Sequence, residues 1–261
     1  MIPVFKIRCS QIGQIMTEGK GGGGLTDKQK VRLAELLAKK NLTEKQAEEM
    51  QRLIDKENKP PELSATAKTY CQKWLKEKLY NRRKEIRSKF IEKGNCNELL
   101  SLELINAQTM EDYTLNTEYR ENDYLTGTCD IEGVECIRDI KNSWSVDTFP
   151  LFDYGIKNKD YEWQLQGYME LYDKDIAWLD YTLTDAPLHL IKQEAKSIAY
   201  KDGLDYDTIF PEVHRQMTYD DIPQHLKHKS FSLNRSREAI EKVYARVELC
   251  RQYINELVKG L

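Results

Sequence analysis

The 261-residue sequence contains no apolar run approaching the ~20 residues that a membrane-spanning helix needs. Its opening, Met1-Ile2-Pro3-Val4-Phe5-Lys6, lacks the basic region, long apolar stretch and small-residue cleavage site of a signal peptide, so an intracellular protein is expected. None of the cysteines (Cys9, Cys71, Cys96, Cys129, Cys136, Cys250) belongs to a C-x-x-C pair. The histidines (His189, His214, His225, His228) do not cluster either. A zinc or iron–sulfur centre wants gathered ligands and is disfavoured; reduced, structural cysteines are expected instead. The formal net charge of −3 singles out no partner.

The distribution of charge says more than its sum. Residues 68–93 carry ten Lys/Arg against three Glu, a local excess of +7, whereas residues 98–136 carry ten Asp/Glu against one Arg, an excess of −9. A basic stretch beside an acidic one suits a protein that grips phosphates and holds divalent cations, although solvated helix faces give similar counts. With 40% hydrophobic and 32% charged residues, the chain can bury a core of its own.

Four glycines, Gly21 to Gly24, read as a flexible joint. Two related segments follow, Thr26-x-x-Gln29 and Thr43-x-x-Gln46, each with the capping-box spacing of a helix start. With Leu33, Leu36, Leu37, Met50, Leu53 and Ile54 at helical spacing, residues 26–58 are expected to form an antiparallel helical hairpin ended by Pro60-Pro61. Ser64 is expected to cap one long basic helix reaching about Lys93, its aromatics packed inward or its surface, with Arg82 and Arg83, facing nucleic acid. A break at Gly94 should precede a short helix from Glu98 to about Ala107. Residues 114–142 read as three strands, 161–171 as a helix, 176–183 as a central strand, and 230–233 as a last strand before a helix over 236–258. Residues 185–222 read as irregular, with one or two helical pieces.

The chemistry concentrates at Asp139-Ile140-Lys141, where strand geometry puts a carboxylate and an ammonium on one face. Asp130 precedes this segment across a hairpin. Two carboxylates and the Ile140 carbonyl can hold Mg²⁺, a hard cation that prefers oxygen and keeps waters. The register decides. A turn at Glu132-Gly133 would face Asp130 with Glu135 and leave Asp139 roughly 13 Å away; a turn centred on Val134-Glu135, or a bulge, would face Asp130 with Asp139. Only the second register makes a site.

Asp130…Asp139-x-Lys141 resembles the PD-(D/E)xK nuclease motif, with Cys129 where the name has proline. Gly94-Asn95-Cys96-Asn97-Glu98 is similar to the G-x-x-x-E element of the phage lambda exonuclease and YqaJ-type viral recombinase branch, with Glu103 a competing acid. Gln164-Leu165-Gln166-Gly167-Tyr168 matches the Q-x-x-x-Y motif of RecB-like members. Arg8-Cys9-Ser10 resembles the segment whose serine helps hold a DNA 5′-phosphate, though Ser10 also reads as a helix cap. The order of these elements within about 75 residues weighs more than any one match.

The resemblance implies an α/β fold, a restriction-endonuclease-like core with a central mixed sheet flanked by helices. It implies one nuclease domain over 1–261, with 17–60 an inserted, glycine-hinged hairpin that the lambda-type enzymes lack. Catalytic roles fall to Glu98, Asp130, Asp139, Lys141 and Gln164. Asp130, Asp139, Ile140 and Glu98 become metal ligands, for Mg²⁺ or Mn²⁺ in its place, while Ser10, Tyr168, Arg82 and Arg83 become DNA contacts. The implied activity is Mg²⁺-dependent hydrolysis of DNA, most simply 5′–3′ degradation of duplex ends in phage recombination. The implied setting is the cytoplasm of a bacterial host, in a homotrimer and beside a single-strand annealing protein, with no membrane. An endonuclease, a RecB-like flap or single-strand nuclease, and a non-catalytic DNA- or partner-binding protein are the alternatives.

Overall fold

The computed structural model describes residues 2–18, 25–58, 62–85 and 87–261. The glycine run and Pro60-Pro61 lie outside them. The elements are β1 (Ile7–Arg8), α1 (Ile12–Met16), α2 (Asp27–Leu37), α3 (Glu44–Asn58), α4 (Ala65–Tyr80), α5 (Lys89–Cys96), α6 (Glu98–Thr109), β2 (Arg120–Glu121), β3 (Leu125–Gly127), β4 (Ile131–Glu132), β5 (Cys136–Asn142), α7 (Lys159–Tyr172), β6 (Ile176–Thr182), α8 (Leu188–Asp202), α9 (Tyr206–Met217), β7 (His228–Asn234) and α10 (Arg237–Lys259). They fall into two compact units, one of Met1–Phe5, Gln14–Arg82 and Val243–Leu261, the other of Lys6–Gly13 and Arg83–Lys242.

In the first unit, local sequence rules hold closely. Thr26 and Gln29 exchange side-chain-to-backbone bonds at the start of α2, and Thr43 and Gln46 do the same at the start of α3. Arg32 bonds Glu49 and Lys56 bonds Gln29, a pairing that runs α2 and α3 antiparallel over a core of Leu25, Leu33, Leu36 and Leu53. Ser64 caps α4 through the amide of Ala67. Phe5 packs edge-on against Trp74 of α4, with ring centroids 5.0 Å apart, and its carbonyl accepts from Arg251 at 3.0 Å.

The long basic helix is shorter than expected. Asn81 takes a left-handed conformation (φ 49°) that ends α4, and a new helix begins at Lys89, capped by Ser88. Asparagine tolerates that conformation better than most side chains. Gly94 does not break the chain: it sits inside α5, and the change of direction comes at Asn97. Residues 188–202 and 206–217 are two full helices with a shared core of Ile191, Ala195, Val213 and Met217, so the region expected to be irregular is mostly helical.

The second unit is organised by a four-stranded sheet in the order β4-β5-β6-β7, in which β5 and β6 are parallel and both outer pairings antiparallel. A small sheet of β1, β3 and β2 accompanies it. The segment expected to hold three strands holds four, β2 to β4 of two or three residues each and β5 of seven. β6 is interior, as its nearly continuous apolar sequence implies.

Alternation along β5 and β6 separates two chemistries. Asp139 and Lys141 share a face with Leu179 and Tyr181, where α7 supplies Gln164. Arg138 and Asn142 share the other face with Asp180 and Thr182, where α6 supplies Ser101. On that second face Arg138 donates to both oxygens of Asp180 at 2.9 Å, and both residues are buried. Burial alone would raise the Asp180 pKa, but His228, Arg138 and Ser230 together hold it below the usual carboxylate range.

Arg138→Met should therefore lower unfolding free energy by about 3–5 kcal/mol, because it strands a buried charge. Urea unfolding followed by tryptophan fluorescence measures this. Because the folded pKa of Asp180 is depressed, its contribution is complete above the ordinary carboxylate pKa and disappears as pH falls through the folded value. Acidification should therefore shrink the difference between variant and wild type.

Candidate active site

The register of the β4–β5 hairpin places the acids. Ile131 pairs with Arg138 and Glu132 with Ile137, and the amide of Gly133 donates to the carbonyl of Cys136 at 2.8 Å. The turn is therefore centred on Val134-Glu135, and continuing the ladder by one step sets Asp130 opposite Asp139. Asp130 Oδ2 accepts from the amide of Ile140 at 2.6 Å, so its carboxylate reaches back over the partner strand.

Asp139 is only 1% exposed. Its Oδ1 accepts from Gln164 Nε2 at 2.8 Å, and its Oδ2 faces the Lys141 ammonium at 2.5 Å. That Oδ2 is buried, and the ammonium is its ion-pair partner. Gln164 uses its amide fully: Nε2 also donates to the Tyr168 hydroxyl at 3.4 Å, and Oε1 accepts from Lys141 at 3.4 Å. The Tyr161 ring lies under the same ammonium, 4.7 Å from its centroid. Glu98, the first residue of α6, lines one cavity of about 550 Å³ with Asp130, Asp139, Ile140, Lys141 and Gln164.

The electrostatics are those of a crowded acid pair. Burial and the charge of Asp139 push the Asp130 pKa up to about 7, against the relief given by the Ile140 amide and Lys141. Burial works against the Lys141 ammonium, yet the Asp139 and Asp130 charges hold its pKa above that of an ordinary lysine. Lys141 is thus a cation at neutral pH. Among the described residues, no three His, Cys, Asp or Glu side chains gather into a metal cage of their own. Two facing carboxylates and the Ile140 carbonyl fit Mg²⁺ instead, which keeps several waters and needs few protein oxygens.

Other expected residues lie elsewhere. Ser10 is exposed in a 3₁₀ turn, Cys9–Gln11, and is not among the residues that line the cavity. Arg83 is exposed beyond the end of α4; Arg82, also exposed, belongs to the first unit. Tyr168, expected to touch DNA, is 5% exposed, because its hydroxyl is taken by Gln164 and its ring lies against Gly127. α7 comes this close because residue 167 is glycine: a Cβ there would sit 2.5 Å from Ile12 and 2.9 Å from Cys9 Sγ. Tyr161 and Trp144 were not singled out from the sequence, although both line the cavity. Tyr161 stands three residues before Gln164, a spacing that shares a helix face and was legible.

No family model matches the sequence, and no curated protein sequence matches it either. Solved structures do. A phage-related exonuclease from Haemophilus somnus 129PT superimposes over 99% of this chain and 97% of its own, with 25% identity and a TM-score of 0.70. The chain shares the fold of a phage-type exonuclease. The alkaline exonuclease LHK-Exo from Laribacter hongkongensis superimposes over 98% of this chain and 90% of its own at a TM-score of 0.57 with 12% identity, and its complex with dAMP at 0.53. The mixed sheet flanked by helices is thus the restriction-endonuclease-like core that the motif order implied.

If Gln164 aligns the acid and the ammonium, Gln164→Ala should weaken Mn²⁺ binding by about 10–100-fold, the usual effect of removing a group that orients metal ligands. Calorimetric titration of wild type and variant at equal pH gives the ratio, and equal affinities would remove Gln164 from that role.

Proposed function

We propose that this chain is a Mg²⁺-dependent DNA nuclease, most specifically a 5′–3′ exonuclease of phage type that degrades duplex ends for recombination. The observation that carries the reading is the joint placement of Asp130, Asp139, Lys141 and Gln164 in one cavity, on a fold shared end to end with an exonuclease at 25% identity. Held by this cavity, Mg²⁺ (or Mn²⁺) would supply Lewis acidity and a water of lowered pKa.

The chain's own groups do the rest. Asp130 and Asp139 would hold the cation, aided by the Ile140 carbonyl, with Glu98 as a further carboxylate on the cavity wall. Lys141, held charged by its acidic neighbours, offsets negative charge on the phosphate as the bond breaks. Gln164 keeps Asp139 and Lys141 in register with each other. Tyr161 faces the ammonium and limits its freedom.

DNA as the partner is supported by the dAMP complex of LHK-Exo, whose fold this chain shares. Assembly as a homotrimer and cooperation with a single-strand annealing protein in a bacterial host's cytoplasm extend the same reading. No helix among the described residues is long and apolar enough to cross a membrane.

Asp130→Asn, Asp139→Asn and Lys141→Ala should each lower Mg²⁺-dependent cleavage of linear duplex by at least about 10²-fold, since even outer partners of metal ligands are worth 10–100-fold. The same assay, run on 5′-phosphorylated linear duplex and closed circular plasmid with and without EDTA, separates the alternatives. Cutting of closed circles makes the chain an endonuclease. Tight, salt-sensitive DNA binding with no cleavage in Mg²⁺ makes it a binding protein.

A further inference from the structure

The cavity that holds the acids has a second, apolar wall. Phe90 and Ile91, in the first turn of α5, line it together with Trp144, three residues beyond Lys141. Phe90 is 57% exposed and Ile91 45%. Large apolar side chains exposed singly are ordinary, but these stand together at one functional cavity. The Phe90 and Trp144 rings meet edge to face, with centroids 5.1 Å apart and planes at 77°, so they form two sides of a corner.

This corner is held rigidly. The Lys89 ammonium lies 4.9 Å from the Trp144 centroid and is itself paired with Glu194 at 2.6 Å. Lys93, fully buried, donates to the carbonyls of Ser143 at 2.7 Å and Trp144 at 3.1 Å. Burying an ammonium is unfavourable, and here burial lowers its pKa to about 8, yet these two bonds go to one short segment. Three residues span at most about 11 Å of chain, which keeps Trp144 within one nucleotide's neighbourhood of Lys141.

We propose that Phe90 and Trp144 form a base-stacking subsite for the nucleotide adjoining the scissile phosphate. The inference rests on the nuclease reading and adds a ligand class to the same cavity: a nucleobase, recognised by its π-face. Every base has such a face, so the subsite tolerates all sequences while discriminating against a sugar-phosphate that lacks a base. The acidic wall takes the phosphate through its cation, the aromatic wall takes the base, and the two together fix the backbone between them.

The test compares two probes of equal length and charge, a thymidine oligonucleotide of about ten residues and its abasic counterpart. Each binds the full chain in Ca²⁺ and is followed by fluorescence anisotropy. Wild type should prefer the base-bearing probe by about 10-fold, the scale of one aromatic–base stack. Phe90→Ala, an exposed change that leaves the core intact, should erase most of that preference without altering abasic affinity; Trp144→Phe, which keeps a ring against the α8–α9 core, should retain it. Equal preference in wild type and Phe90→Ala, an equal loss for both probes, or no binding of either probe overturns the subsite. Cleavage of linear duplex by wild type in Mg²⁺ is read separately. Cleavage without base discrimination sinks the subsite and spares the nuclease reading, whereas failure to cleave sinks the nuclease reading itself.

Discussion

Everything at the cavity depends on a two-residue turn. With Val134-Glu135 at the tip, the β4–β5 ladder runs Glu132 against Ile137 and Ile131 against Arg138, and Asp130 comes to rest over Asp139. Side chains alternate along a strand, so a slip of one residue would carry a whole set of groups to the other face. A turn two residues earlier would keep the face but face Asp130 with Glu135. The hydrogen bond from the Ile140 amide to Asp130 then acts as a latch, tying the acid that lies just outside the ladder to the strand carrying its partner.

The parallel pairing of β5 with β6 extends this separation across the sheet. One face of β5 gathers Asp139 and Lys141 beneath α7, and the other gathers Arg138 beside Asp180. Both faces bury charge, but they treat it differently. Asp180 is satisfied by Arg138, His228 and Ser230 and is held as a carboxylate below its ordinary pKa. Asp130 is driven upward by burial and by the charge of Asp139. The sheet thus satisfies the acid on one face and leaves a crowded pair on the other.

Much of this was legible because it is local. The paired Thr-x-x-Gln boxes, the Ser64 cap and the spacing of Asp139 and Lys141 each follow from a few neighbouring residues, and each is found where the sequence puts it. What escaped depended on backbone states or distant partners. Asn81 ends α4 by turning left-handed, and Gly94, a usual breaker, is carried inside α5 because both ends of that helix are fixed elsewhere, by Ser88 and Asn97. The strands of the small sheet, two or three residues each, are too short to show a period. α8 and α9 are stabilised by packing on each other and on Trp144, information that no single segment carries. The aromatic wall was missed for a similar reason: motif spacing finds groups that do chemistry, and Phe90 becomes relevant only once the fold brings Trp144 to it.

The fate of Tyr168 clarifies what the Q-x-x-x-Y spacing is for. A residue one helical turn beyond Gln164 shares its face, and in this fold that face points down onto the sheet, so the tyrosine is buried where a DNA contact was expected. Burial and the nearby Asp139 charge raise its pKa, which keeps the hydroxyl neutral and able to accept from Gln164. With one Nε2 hydrogen committed to Tyr168, the other is directed at Asp139 and Oε1 is left for Lys141. An amide can flip; this one cannot do so without setting its NH₂ against an ammonium and its carbonyl against a carboxylate. The tyrosine thus acts through its neighbour, by fixing which way a glutamine points. That orientation pins the one acid–ammonium pair on which the proposed hydrolysis turns.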